Sequence, residues 1–253
     1  MIELEHITVT ADDRKILDDV TFRVQKGETK VLLGPSGAGK SSVLKIILGL
    51  WRPEAGTVTV DGTEITKLSE REQMPIRRRM SMVFQGNALF DSLTVGENVG
   101  FFLREHSDMT DAEVRDRVDE CLEFVNLPGT VDLLPEEISG GMKKRVAIAR
   151  AIAFHPEVIL YDEPTTGLDP INAKTVTELV MKLKQERRVT SVIVTHILRD
   201  AFAVGDSLAL INEGAIVFDG TAQALLAAED PFVRNFLSEI REEANLLSLN
   251  NPI

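Results

Sequence analysis

SGGMKKRVAIARAIAFHPEVILYDEPTTGLDP, residues 139–170, compresses three folding signals into one segment. Gly140 and Gly141 open a helix whose apolar positions include Val146, Ala149 and Ile152, the spacing of a 3.6-residue period. Glu157–Asp162 then reads as a short strand, and its unbroken apolar run is the mark of a strand buried on both faces. Asp169 is placed to cap a third element, with Pro170 in its first turn, and a helix is expected over Ile171–Arg187. Helix, buried strand and helix in succession point to an α/β fold.

Two features of this segment exceed what folding needs. The strand delivers two adjacent carboxylates, Asp162 and Glu163. Asp162 suits a Mg²⁺ site and Glu163 suits a general base that polarises a water, two tasks that one carboxylate performs badly. The first turn of the helix carries Lys143, Lys144 and Arg145, cations that oppose the helix dipole. A solvated basic turn is one reading. The other is an anion arriving at this helix start from outside the chain.

Upstream, Lys30–Leu33 is an apolar strand running into Gly34-Pro35-Ser36-Gly37-Ala38-Gly39-Lys40-Ser41-Ser42, which fits the phosphate-loop pattern. Glycines let backbone amides face phosphate oxygens at a helix N-terminus, Lys40 adds charge at the β- and γ-phosphates, and Ser41 offers a hydroxyl to Mg²⁺. A nucleotide with Mg²⁺ is therefore the expected ligand. Val43, Leu44, Ile46, Ile47 and Leu50 predict a largely buried helix after the loop.

Strands are expected at Ile2–Val9, Val20–Val24, Thr57–Val60, Met80–Phe84, Val189–Thr195, Ser207–Ile211 and Ala215–Phe218. Thr94 with Glu97 and Thr110 with Glu113 are capping boxes that open helices, and Pro128-Gly129 closes the second. Residues of about 86–155 thus read as a helical lobe set into an α/β domain spanning 1–230. Phe232, Val233, Phe236 and Leu237 predict a C-terminal helix in a segment 231–253. Beyond Glu242 the tail is read either as disordered or as docking Leu246, Leu247 and Leu249 on a partner.

A net charge of −12 argues against a broad nucleic-acid surface, and the run Arg77–Arg79 reads as a solvated turn or helix face. No apolar run approaches the ~18 residues of a membrane span, and MIELEHITVT alternates like a strand rather than a leader. The single cysteine, Cys121, falls in step with Val114, Val118, Leu122 and Val125 and reads as a core thiol. His6, His106 and His155 show no metal spacing. The chain is expected to be cytosolic, with any membrane role peripheral.

The phosphate loop, Gln85, SGGM, YDEP, GLDP and His196 occur in an order and spacing that resembles ABC-transporter ATP-binding subunits over residues of about 2–230. The resemblance implies a RecA-like P-loop core with an N-terminal antiparallel β subdomain and an inserted helical subdomain. It also implies a head-to-tail homodimer in which Ser139, Gly140, Gly141 and Met142 act on the partner subunit's ATP. In the same way Gln85 is implied at Mg²⁺, Asp169 across the dimer and His196 at the γ-phosphate; Glu163, Lys40 and His196 form the catalytic set. The stretch from Gln85 to His106, Met142 where most relatives carry Gln, and DPFVRNFLS resemble the ATPases of Mla-type lipid transport systems. That family implies integral-membrane permease subunits, a lipid-binding MCE-type partner, and a place on the cytoplasmic side of the inner membrane.

Leu89, Phe90, Leu93, Phe101 and Phe102 are expected to divide between internal packing and a groove for a permease helix. Two positions depart from the family: no aromatic residue stands near Ala11 to stack on adenine, and Ile197 follows His196 where many relatives are acidic. An importer of polar solutes shares every catalytic motif and is the alternative reading. Non-transport ABC ATPases fit less well, because fewer than a hundred residues separate Ser41 from Ser139 and the ATPase unit is single.

Overall fold

The computed structural model describes residues 1–238. Strands β1 (Ile2–Ala11) and β2 (Arg14–Val24) make a hairpin around Asp12 and Asp13, whose φ values of 49° and 59° fit a two-residue turn. β2 starts well before Val20, where the alternation becomes visible in sequence; register shifts along β1 break the period that would reveal it. β3 (Thr29–Leu33) leads through the phosphate loop into α1 (Lys40–Ile47). β4 (Ala55–Val60), β5 (Thr63–Glu64), α2 (Glu70–Arg77) and β6 (Met80–Val83) follow. The helical lobe consists of α3 (Val95–His106), α4 (Asp111–Phe124) and the start of α5 (Gly140–Ile152). The chain then runs through β7 (Val158–Asp162), α6 (Pro170–Arg187), β8 (Thr190–Thr195), α7 (Leu198–Val204), β9 (Ser207–Asn212), β10 (Ala215–Gly220) and α8 (Ala222–Leu226). Residues 231–238 are helical, with Val233, Phe236 and Leu237 buried; Leu246, Leu247 and Leu249 lie outside the described residues.

Two sheets organise these elements. The first, in order β2-β1-β4-β5, is antiparallel. The second, β10-β9-β3-β8-β7-β6, is parallel except for β10 at one edge. Every residue of β3 and β8 is buried, as parallel strands covered on both faces require. Alternation distributes them: Leu32, Leu160, Val192 and Val194 pack towards α1 and the antiparallel sheet. Val31, Leu33, Ile159 and Ile193 pack against α5, α6 and the helical lobe. The architecture is the P-loop α/β type expected from the sequence.

The capping boxes form as read: Thr94 N–H donates to Glu97 Oε2 at 2.8 Å and Thr110 N–H to Glu113 Oε2 at 2.7 Å. Cys121 is fully buried in the lobe, and burial pushes its thiol up to about 11. The arginine run is a correction. Only Arg78 is exposed; Arg77 donates to the carbonyls of Leu48 and Gly49 at 2.9 and 2.8 Å, closing the end of α1. Arg79 grips Glu157 at 2.7 and 2.8 Å and Asp61 at 2.6 Å, joining the two sheets. Consecutive cations read as solvent-facing because each target lies far away in sequence.

Candidate nucleotide site

β3, β8, β7 and β6 lie side by side and parallel, so their C-terminal ends line one edge of the sheet. Leu33 pairs with Thr195, Asp162 with Val194 and Tyr161 with Val83, which sets these ends level. Each strand delivers one part of the site there. The phosphate loop leaves β3, His196 follows β8, Asp162 and Glu163 end β7, and Gln85 lies just past β6. Open α/β sheets bind ligands at such an edge.

Lys40 is 6% exposed and its Nζ donates to the carbonyls of Gly34 and Pro35 at 2.8 and 3.0 Å, with Glu163 Oε1 at 3.9 Å. Burial pulls its pKa down, while the nearby Glu163 and Asp162 carboxylates oppose that shift. The ammonium is thus a desolvated cation held ready beside the loop. Gly37 has φ +80° and a side chain added there would meet nothing, so this turn leaves its amides open to phosphate oxygens.

Ser41 Oγ donates to Asp162 Oδ1 at 2.8 Å. Burial pushes the Asp162 carboxyl above its usual range, more than the Ser41 hydrogen bond lowers it. A buried carboxylate in that condition gains from a cation. The hydroxyl of Ser41, the carboxylate of Asp162 and the amide of Gln85 are hard oxygen donors, the set that fits Mg²⁺. Gln85 itself is exposed at the rim.

Glu163 is 8% exposed with φ 48°, a left-handed backbone that a non-glycine residue adopts only when its surroundings impose it. Its carboxylate accepts from Thr166 Oγ1 at 2.8 Å and faces His196 Nδ1 at 3.0–3.1 Å. Ser41 with Asp162, and Lys40 with Glu163 and His196, therefore form two bonded groups joined through the adjacent chain positions 40–41 and 162–163. Thr166 escaped the sequence reading; its only signal is a hydroxyl three residues after the carboxylate.

The start of α5 behaves differently. Ser139 Oγ accepts from Met142 N–H at 3.3 Å and so caps its own helix. Among the described residues, no hydrogen bond or ion pair joins Ser139–Lys143 to the phosphate loop, and nothing lies within 4 Å of a side chain added at Gly140. At Gly141 such a side chain would strike Asn172, whose Nδ2 donates to Asp169 Oδ2 at 2.5 Å. Asp169 also accepts from the amides of Ile171 and Asn172, and its carboxyl lies below the usual range chiefly through the Asn172 side chain. Signature and Asp169 loop are thus packed together. The basic turn needs correcting, because two of its three cations face inward: Lys144 is 2% exposed, and Arg145 donates to the carbonyls of Val125 and Asn126. Of the three, only Lys143 has no side-chain hydrogen bond or ion pair among the described residues.

Ala11 is half-buried at the end of β1, opposite Arg14. Asn98, fully buried, accepts from Phe90 N–H at 2.8 Å and donates to the carbonyls of Phe90 and Leu93 at 3.0 Å. It fixes a loop that leaves Phe90 46% exposed, beside Phe101 of α3, which is 40% exposed, their rings 4.9 Å apart. Leu89, Leu93 and Phe102 turn partly inward.

The sequence profile of the ABC transporter family matches residues 17–166. The chain belongs to this family and is an ATP-binding cassette. It is 39% identical, over 94% of its length and 90% of the relative's, to the intermembrane phospholipid transport system ATP-binding protein MlaF of Haemophilus influenzae. To the probable ribonucleotide transport ATP-binding protein mkl of Mycobacterium leprae it is 41% identical, covering 94% of this chain and 68% of that one. The ATP-binding cassette MJ0796, solved as a post-hydrolysis dimer bound to ADP and Pi, superposes with a TM-score of 0.81 at 34% identity, covering 87% of this chain and 98% of that one.

Proposed function

We propose that this chain is the ATP-hydrolysing subunit of a transporter that moves phospholipid or a related hydrophobic substrate between membranes. The observation that carries the hydrolytic part is Glu163, pinned by Thr166 beside His196 and facing Lys40 at the end of β7. Glu163 accepts the proton of the attacking water at its carboxylate, and Thr166 holds that carboxylate in place. Lys40 leaves the Gly34 and Pro35 carbonyls for the terminal phosphates of ATP. His196, 47% exposed, reaches the same phosphate from the end of β8. Mg²⁺, held by Ser41 and Asp162 with Gln85 at the rim, would neutralise charge across the β- and γ-phosphates.

Gly140 faces open space, and among the described residues no hydrogen bond or ion pair joins Ser139–Met142 to the phosphate loop, which supports a head-to-tail homodimer closed over two ATP molecules. Phe90, on the loop that Asn98 fixes, and Phe101 on α3 are the receptor for a permease helix. This docking would place the chain on the cytoplasmic side of the inner membrane; none of the described helices is long and apolar enough to cross one. The lipid cargo and an MCE-type partner rest on likeness to MlaF and on Met142.

A polar cargo is the second reading, favoured by the name that mkl carries. Purification of the tagged chain from membranes separates them. The expected complex contains an integral-membrane permease and extractable phospholipid, and its ATPase responds to lipid. A complex whose ATPase responds to a nucleotide-like solute and ignores lipid overturns the lipid assignment.

A further inference from the structure

The segment Phe84–Ala88, which carries Gln85, is strapped to α5 by two cations. Lys144 Nζ donates to the carbonyl of Gln85 at 2.8 Å and that of Phe84 at 3.3 Å. Six residues further along the helix, Arg150 donates to the carbonyls of Asn87 and Ala88 at 2.8 and 2.6 Å. Four of the five carbonyls in the segment are thereby held from one helix. Asn87 and Ala88 have φ values of 64° and 50°, so this loop does not rest in a conformation its residues prefer.

Lys144 is the less expected of the two. It is 2% exposed and makes no ion pair among the described residues, a placement that desolvates an ammonium for the sake of two carbonyls. Burial draws its pKa down, while the Asp162 and Glu163 carboxylates favour its charged form. A neutral apolar residue would fill the same space without that penalty. The cation is therefore explained by what it holds.

We propose that Lys144 is a positioning residue that clamps the Phe84–Gln85 backbone to the signature helix, so that Gln85 reaches the Mg²⁺ end of its own ATP site in step with α5. Lys144 stands five residues from Ser139, about 7.5 Å along the helix. A partner's ATP closing on Ser139–Met142 would then move α5 and Gln85 as one body, linking the two sites of a dimer. This inference rests on the ATPase reading above.

Three variants of the full chain test it: Lys144→Met, Lys144→Gln and Lys144→Arg. Hydrogen exchange at Asn87, whose amide donates to the Phe84 carbonyl that Lys144 also holds, reads the clamp without nucleotide, and binding of a fluorescent ATP analogue is followed against Mg²⁺ concentration. In Lys144→Met, exchange at the Asn87 amide and the half-saturating Mg²⁺ concentration should each rise about tenfold, the worth of one hydrogen bond to a charged group. Analogue affinity without Mg²⁺ should stay within about threefold, a change too small to signal a lost bond. Arg and Gln, which keep donors, should each recover most of that loss. Unchanged exchange and Mg²⁺ dependence in Lys144→Met overturns the clamp, as does a Gln variant no better than Met. Should Lys144→Met not fold, the Arg and Gln variants carry both outcomes, with recovery supporting the clamp and a full loss in both overturning it. If the wild-type chain binds no ATP analogue, the ATPase reading falls, while the exchange result still reports on the clamp.

Discussion

The phosphate-loop edge and the start of α5, the two regions proposed to meet phosphate, are finished to different degrees. At the edge, Lys40, Ser41, Asp162, Glu163, Thr166 and His196 already satisfy one another through hydrogen bonds and ion pairs. At α5, Gly140 faces open space and Lys143 has no partner among the described residues. The first region is held in readiness by its own chain. The second has no such internal partner, which is the physical case for a second subunit.

The comparison breaks most directly at Glu163. Glu163→Gln keeps the shape and the Thr166 contact but removes the proton acceptor. Steady-state ATP hydrolysis should fall about 10²–10⁴-fold, the usual worth of a general base. ATP binding should survive, and size-exclusion chromatography should show dimers accumulating with ATP. Hydrolysis at the wild-type rate would remove Glu163 from the reaction.

The next effect tests whether the open half is completed in trans. Lys40→Met disables the phosphate loop, and Gly140→Val fills the space before α5 without touching that loop. Each homodimer should be inactive. In a head-to-tail dimer, mixing them yields a heterodimer with both lesions in one site and none in the other. The mixture should therefore regain hydrolysis that neither variant shows alone. A mixture as inactive as its components would mean that the two regions serve the same site within one chain.

The same contrast explains what the sequence disclosed. Glu157–Asp162 and the phosphate loop were legible because a buried parallel strand is an unbroken apolar run and a phosphate cradle needs glycines at fixed offsets. The P-loop fold followed from these. Less legible were positions whose partners are remote in sequence. Lys144 and Arg145 looked like free charge because nothing local says that Gln85 and Val125 will lie beside them. Asn98, which fixes the Phe90 loop, has no local sequence signal for that role. α2 carries Pro75 and α7 spans only Leu198–Val204, so neither shows a sustained apolar period.

A smaller effect separates two neighbouring glycines. Gly141→Ala drives a methyl group into Asn172 and should destabilise the chain by about 1–3 kcal/mol, the range for overpacking a filled contact. Gly140→Ala meets nothing and should leave stability unchanged or slightly improved. Urea denaturation of both variants tells them apart; equal stabilities would mean that the signature and the Asp169 loop are not packed as described.

The smallest expected effect lies at the far end of β6 and β7, where Arg79 holds Glu157 and Asp61 away from either phosphate region. The Arg79 hydrogen bonds keep both carboxyls below their usual range. A carboxyl whose folded pKa is depressed contributes stability that is present above its unfolded value, about 4 for these groups. That contribution is lost as pH falls through the folded value. Arg79→Met should therefore lower stability at neutral pH by only about 0.5–1 kcal/mol for the half-exposed Glu157 pair, since solvent screens it. It should also flatten the decline of stability below about pH 4, because the two carboxyls then titrate alike in both states. Thermal unfolding of the two chains between neutral and acid pH measures this, and parallel declines would assign the acid sensitivity to other carboxylates. ATP hydrolysis by Arg79→Met should stay at the wild-type level, since the bridge lies at the opposite end of the strands from Asp162 and Glu163.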